Sequence, residues 1–267
     1  MTLQLIDSHC HFDEDSFDSD REAAYRRARA NGIMAQIVPA VSAALWPKLK
    51  AVVAAWPGLY PAYGLHPMCL DEHRPEHVDT LAEWLERERP VAVGECGLDY
   101  YIPGLDPALQ ADYFTAQLHL ARTYRLPLIV HARRAVDHVI KYIRRYPGVR
   151  GVVHSFSGSE QQARRLLDLG FLLGFGGASS FPRAHRLHRL LQTLPLDGIL
   201  LETDAPYQPG LQHQGERNEP AFLVETLAVI ATLRDRDPAE LAAGTTRNAL
   251  TLFGIAPCPT LSHAPKF

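Results

Sequence analysis

Eight short apolar runs recur along the chain, each followed by a stretch of helical character, and this alternation constrains the fold more than any other feature. The runs are "LQLID" (3–7), "MAQIVPAV" (34–41), "LYPAYGLH" (59–66), "PVAVGECGLD" (90–99), "PLIVHAR" (127–133), "GVVHSF" (151–156), "FLLGFGG" (171–177) and "ILLETDAP" (199–206). Near-continuous apolar runs of this length suit strands buried on both faces, as in a parallel sheet covered by helices. The intervening stretches carry helix signals. Residues 19–30 precede Gly32, a suitable C-terminal cap, and residues 106–124 carry Pro107 in their first turn. Residues 160–169 run into Gly170, and the last helical stretches are 221–233 and 238–253.

Eight strand–helix units predict an α/β chain closed into a TIM-like (β/α)8 barrel. The expected layout is a single domain over residues 1–255 with an irregular tail over 256–267. An open doubly wound sheet is the competing layout, but no glycine-rich dinucleotide fingerprint supports it. The length of 267 residues, with 46% hydrophobic and 21% charged, suits one large domain of this kind. A net charge of −3 excludes a generally polycationic surface, though not a nucleic acid held locally. Cys10, Cys69, Cys96 and Cys258 form no CxxC pair and read as reduced thiols. There is no basic stretch leading into an apolar signal segment, and no apolar run approaches about 18 residues. The expectation is a cytoplasmic protein with no membrane contact.

A barrel places its chemistry at the C-terminal ends of its strands. His9 and His11 end the first run, Glu95 lies near the end of the fourth, His131 near the end of the fifth, His154 on the sixth and Asp204 at the end of the eighth. Each has a bland reading alone, as a capping carboxylate or a packed histidine. Six metal-capable side chains at corresponding positions on five strands read instead as one ligand set. In a strand, His9 and His11 would share a face, with Cys10 turned away as a small packing group. Four imidazoles and two carboxylates suit zinc or manganese, whereas magnesium prefers more oxygen.

In order along the chain, "DSHCHFD", "GLHP", "GECGLDYY", "VHAR", "HSFSG", "ETDAPY" and "RNEP" resemble the motif series of the TatD family of metal-dependent hydrolases, within the amidohydrolase superfamily. The series spans residues 7–220. The resemblance implies a deoxyribonuclease on a TIM-like barrel with two divalent metal ions (Zn, Mn or Mg). It implies that His9, His11 and Asp204 hold one ion, Glu95 bridges, and His131 and His154 hold the other. Relatives in the superfamily often bridge with a carbamylated lysine; "LIVHAR" offers none, and Glu95 stands in its place. Asp204 and Glu95 are then the catalytic residues, with Asp204 orienting or deprotonating a metal-activated water.

Substrate contacts are expected from Arg133, which alternation directs to the same mouth as His131, and from His66, Ser155 and Phe156, the last as a surface for base stacking. Asp99 is expected to orient a ligand, and Asn218 and Glu219 to brace the loop after the eighth strand. His73, His77, His119, His138, His185 and His188 read as surface or packing residues. The expected partner is DNA, single-stranded or at ends, met by a monomer with no obligate protein partner. A metal-dependent deacylase of aminoacyl-tRNA or a small-molecule amidohydrolase is the alternative that keeps the same site.

Overall fold

The computed structural model describes residues 3–256, in which eight parallel strands form one sheet whose spatial order is the sequence order. The strands are β1 (Leu5–Asp7), β2 (Ile33–Pro39), β3 (Leu59–Tyr63), β4 (Ala92–Asp99), β5 (Leu128–Arg133), β6 (Gly151–Val153), β7 (Phe171–Phe175) and β8 (Ile199–Leu201). The helices are α1 (Arg21–Ala30), α2 (Trp46–Ala55), α3 (Glu76–Glu88), α4 (Pro107–Tyr124), α5 (Val136–Ile143), α6 (Glu160–Asp168), α7 (His185–Thr193), α8 (Leu223–Arg234) and α9 (Pro238–Phe253). The (β/α)8 expectation is met. Residues 257–267 of the expected tail lie outside the described residues.

Alternation along each strand divides the core in two. Ile6, Ala35, Ile37, Ala62, Ala92, Ile129, Val152 and Leu200 fill the barrel, where Leu252, Phe253 and Ile255 from the end of α9 pack against them. Side chains of the other parity, among them Leu5, Val38, Val93, Val130 and Val153, join the larger layer beneath the helices. Helix ends follow local chemistry. Asp106 accepts from the amides of Ala108 and Leu109 at the start of α4, Asp237 caps α9, and Ser159 with Gln162 forms a capping box on α6.

Most strands end earlier than the apolar runs predict. β3 stops at Tyr63, β6 at Val153 and β8 at Leu201, while β1 ends at Asp7 with its run, so His9, His11, His66, His154 and Asp204 lie in the loops just beyond. Those loops still extend the ladder of backbone bonds. Ser8 N donates to Leu201 O (3.0 Å), Asp204 N to His9 O (2.9 Å) and His11 N to Ala205 O (2.7 Å). The first and last strand segments therefore meet through the residues that carry the candidate ligands.

Glu95 reaches the interior by a different device. Val93 pairs with Leu128 and Cys96 with Val130, so β4 spends one residue more than β5 between these pairs. This β-bulge leaves Val93 and Cys96 both in the outer layer and re-aims the intervening Glu95. Gly94 sits in the bulge with φ +154°, and a Cβ there would lie 2.8 Å from Ile129 Cβ and from Ile129 O. Gly94→Ala is therefore expected to lower stability by about 2 kcal/mol or more in urea unfolding, through backbone strain and overpacking; an unchanged midpoint would contradict this role for the bulge.

Candidate metal centre

Five imidazoles surround the Glu95 carboxylate at the mouth of the barrel, and its two oxygens face different partners. Oε2 lies 3.2 Å from His9 Nε2 and 3.4 Å from His11 Nε2. Asp204 Oδ1 joins this side, 3.4 Å from His9 Nε2 and 3.6 Å from His11 Nε2. Oε1 lies 2.7 Å from His154 Nε2, 3.0 Å from His66 Nε2 and 3.2 Å from His131 Nδ1. The rings of His9 and His154 stack across the two sides, with centroids 3.9 Å apart. All six expected ligands are thus brought together. His66, expected as a substrate contact, stands within the ligand cluster itself.

The donor set fits divalent metal. His9 Nε2 and His11 Nε2 lie 3.1 Å apart while both also face carboxylate oxygens, and since each Nε2 carries at most one hydrogen these contacts cannot all be hydrogen bonds. A divalent ion would satisfy the converging nitrogen and oxygen lone pairs together. Burial opposes charge on His9, but Glu95 and Asp204 hold it well above the ordinary imidazole range. His11 is raised against the same burial by its bond to Glu95, and His131 rises to about 9 through Asp99 and Glu95. His66 is lowered by burial, and His154 falls to about 4 for the same reason. Burial alone would raise Glu95 and Asp204, but the neighbouring imidazoles keep Glu95 well below the carboxylate range and Asp204 at about 2.

A surrounding layer orients these groups, as is general for metal-ligating histidines. Asp99 Oδ2 is 2.8 Å from His131 Nε2, while its Oδ1 accepts from the amides of Tyr101 and Ile102. Asn218 donates to the carbonyls of Thr203 and Tyr207, and Glu219 pairs with Arg27 and Arg217, so both brace the loop after β8. Cys10 and Cys96 are fully buried, with their thiols turned to Gln36 and Ile129 O.

Other placements differ from the sequence reading. Phe156 lines the cleft as expected, but it is 2% exposed and packs edge-on against Phe175, which leaves little of its ring to a base. Ser155 lines the cleft, but its hydroxyl already accepts from Gln208. His73 is no surface residue: it is buried, and its Nε2 donates to His66 O (2.9 Å). Arg133 is exposed at the rim, its guanidinium carbon 3.7 Å from the centroid of the Tyr101 ring.

Three buried acids went unread, Asp7, Asp13 and Glu202, and two of them touch the centre's loops. Asp7 accepts from the amides of His9 and Thr203 and from the Thr203 hydroxyl, linking the ends of β1 and β8; burial raises it to about 7. Glu202 accepts from Ser155 N (2.5 Å) and lies 3.9 Å from His154 Nδ1, and burial raises it to about 8. Gly174 makes room for it, since a Cβ there would sit 2.0 Å from Glu202 Oε2. The available signal was an acid inside an apolar run, in "LQLID" and again in "ILLETDAP".

The cluster floors a cleft of about 730 Å³. Its lining includes Val41, Leu45, Met68, Glu14 and Glu72, and Arg133 is its one lysine or arginine among the described residues. The family profile described as TatD related DNase matches residues 6–254. The metal-dependent hydrolase YjjV of Escherichia coli K12, named as uncharacterized, is 41% identical over 96% of this chain and all of its own. The crystal structure of that TatD homologue superposes with a TM-score of 0.92, covering 96% of this chain and 100% of the other. YabD of Bacillus subtilis, named in the same terms, is 31% identical over 94% of this chain and 99% of its own. A TatD-family hydrolase from Entamoeba histolytica shares the fold at 21% identity, with a TM-score of 0.84 over 94% of this chain and 98% of that one.

Metal competes with protons at His9, His11 and His131, whose charged forms the neighbouring acids favour. Zinc binding to chelator-stripped protein is therefore expected to release protons at pH 7 and to strengthen as pH rises toward 9. Calorimetry in buffers of different ionisation enthalpy measures this, and binding without proton release would contradict the charge assignment.

Proposed function

The chain belongs to the TatD-related family of metal-dependent hydrolases, and on that premise we propose that it is a deoxyribonuclease that hydrolyses phosphodiester bonds at DNA ends with two metal ions. The observation that carries this reading is the division of donors between the two oxygens of Glu95. His9, His11 and Asp204 would hold one ion, His131 and His154 the other with His66 beside them, and Glu95 would bridge. When bound, the two ions supply an activated water and polarise a phosphoryl oxygen.

The chain's own groups do the rest. Asp204, a carboxylate at neutral pH, lines the cleft where it can take the proton of the attacking water and return it to the leaving oxygen. Arg133 offers a planar fork to a phosphate, its guanidinium steadied by Tyr101. Glu14 and Glu72 on the cleft lining repel a polyanion, which favours entry of a strand end over a strand laid along the mouth. A single strand acted on by a monomer in the cytoplasm, without an obligate protein partner, completes the proposal. Among the described residues no helix is long and apolar enough to cross a membrane, and Cys10, Cys69 and Cys96 are free thiols.

The test uses chelator-stripped protein reloaded with magnesium, manganese or zinc, and single-stranded DNA labelled at one end, beside aminoacyl-tRNA. Metal-restored shortening of the DNA is expected. Asp204→Asn should cut turnover at least about 100-fold with the melting temperature retained, and Arg133→Ala should raise KM for DNA. Intact DNA with deacylated tRNA would overturn the nuclease reading in favour of ester hydrolysis at the same centre.

A further inference from the structure

Seven non-glycine residues among those described have φ in the left-handed region: Arg89, Arg125, Arg134, Ser155, Asp204, Gln208 and Asp235. Arg89, Arg125 and Asp235 follow the last residues of α3, α4 and α8, where this conformation is ordinary. Arg134 lies between β5 and α5, and Ser155 (φ 45°), Asp204 (57°) and Gln208 (49°) also end no helix. These last three cluster at the cleft, and one side chain joins them. The Gln208 amide nitrogen donates to Asp204 Oδ2 (2.5 Å) and to Ser155 Oγ (2.8 Å), which uses both of its hydrogens. Strained conformations of this kind persist only where the surroundings over-determine them.

The choice of oxygen matters. Asp204 Oδ1 is the atom facing His9 and His11, and Gln208 takes the other. A carboxylate with both oxygens free can swing or chelate through both, whereas one capped on Oδ2 presents a single oxygen in a fixed direction. We infer that Gln208 is a positioning residue for the metal centre, holding Asp204 as a one-oxygen ligand and tying the loop after β6 to the loop after β8. The inference rests on the metal-centre reading above and is independent of which bond is cut.

Gln208 is exposed on a loop, so its replacement leaves the core intact. Gln208→Met keeps the length and removes both donors, while Gln208→Glu sets a second carboxylate against Asp204. Zinc affinity and stoichiometry are measured on the chelator-stripped full chain by competition with a chromogenic chelator, alongside thermal melting and DNA hydrolysis. Gln208→Met is expected to weaken the affinity for one zinc ion about 10- to 100-fold, with Gln208→Glu weaker still. Turnover should fall through kcat rather than KM, and the melting temperature of the metal-free protein should be retained. Zinc affinity and kcat both unchanged in Gln208→Met would overturn the inference. Wild-type protein that binds zinc but leaves DNA intact would overturn the nuclease reading alone, because the affinity comparison stands without substrate.

Discussion

One buried carboxylate facing five imidazole nitrogens within 3.4 Å sets the terms for the rest of the structure. A charge removed from water is costly unless paired and hydrogen-bonded, and Glu95 is 1% exposed. Its partners answer that cost only if some of them are positive. The acids around them favour the charged forms of His9, His11 and His131, while burial favours neutral His66 and His154. A divalent metal would answer the same cost with better directed charge. The hydrolase chemistry of the family follows from this arrangement, not from the barrel, which hosts many activities.

The barrel's contribution is placement. Four of the cluster's residues lie on loops that continue the strand ladder beyond β1, β6 and β8, and three backbone bonds draw the β1 and β8 segments together at the ligands themselves. Asp7 reinforces that seam by bonding His9 and Thr203 at once. Glu95 needs an extra device because it lies within a strand whose plain alternation would turn it toward the helices. The bulge between Val93 and Cys96 supplies the turn, and Gly94 makes the bulge possible. The centre and the closure of the barrel are thus one piece of construction.

The fold was legible because eight apolar runs at near-regular intervals leave few other ways to cover a parallel sheet. The ligand set was legible because His9, His11, His131, His154 and Asp204 stand where strands of such a barrel end. Strand limits were less so: the candidate ligands keep backbone bonds to the neighbouring segments while leaving regular strand conformation, as φ 57° at Asp204 illustrates, and apolar composition does not report φ. Glu95 was found by position along its run, whereas its inward direction depends on an added residue in one strand, which no periodicity displays. How Phe156 and His73 pack was not legible, for a common reason. An aromatic after a ligand and a histidine outside a strand give no sign in sequence of how the next loop packs over them. Gln208 stood in a polar, turn-rich stretch, where nothing local marks one amide as the partner of Asp204.

The donor division around Glu95 is the central claim, and anomalous diffraction from zinc-loaded crystals tests it most directly. The account predicts two metal peaks, one beside Oε2 with His9, His11 and Asp204, the other beside Oε1 with His131 and His154. A single peak, or two peaks that both avoid Glu95, would contradict it.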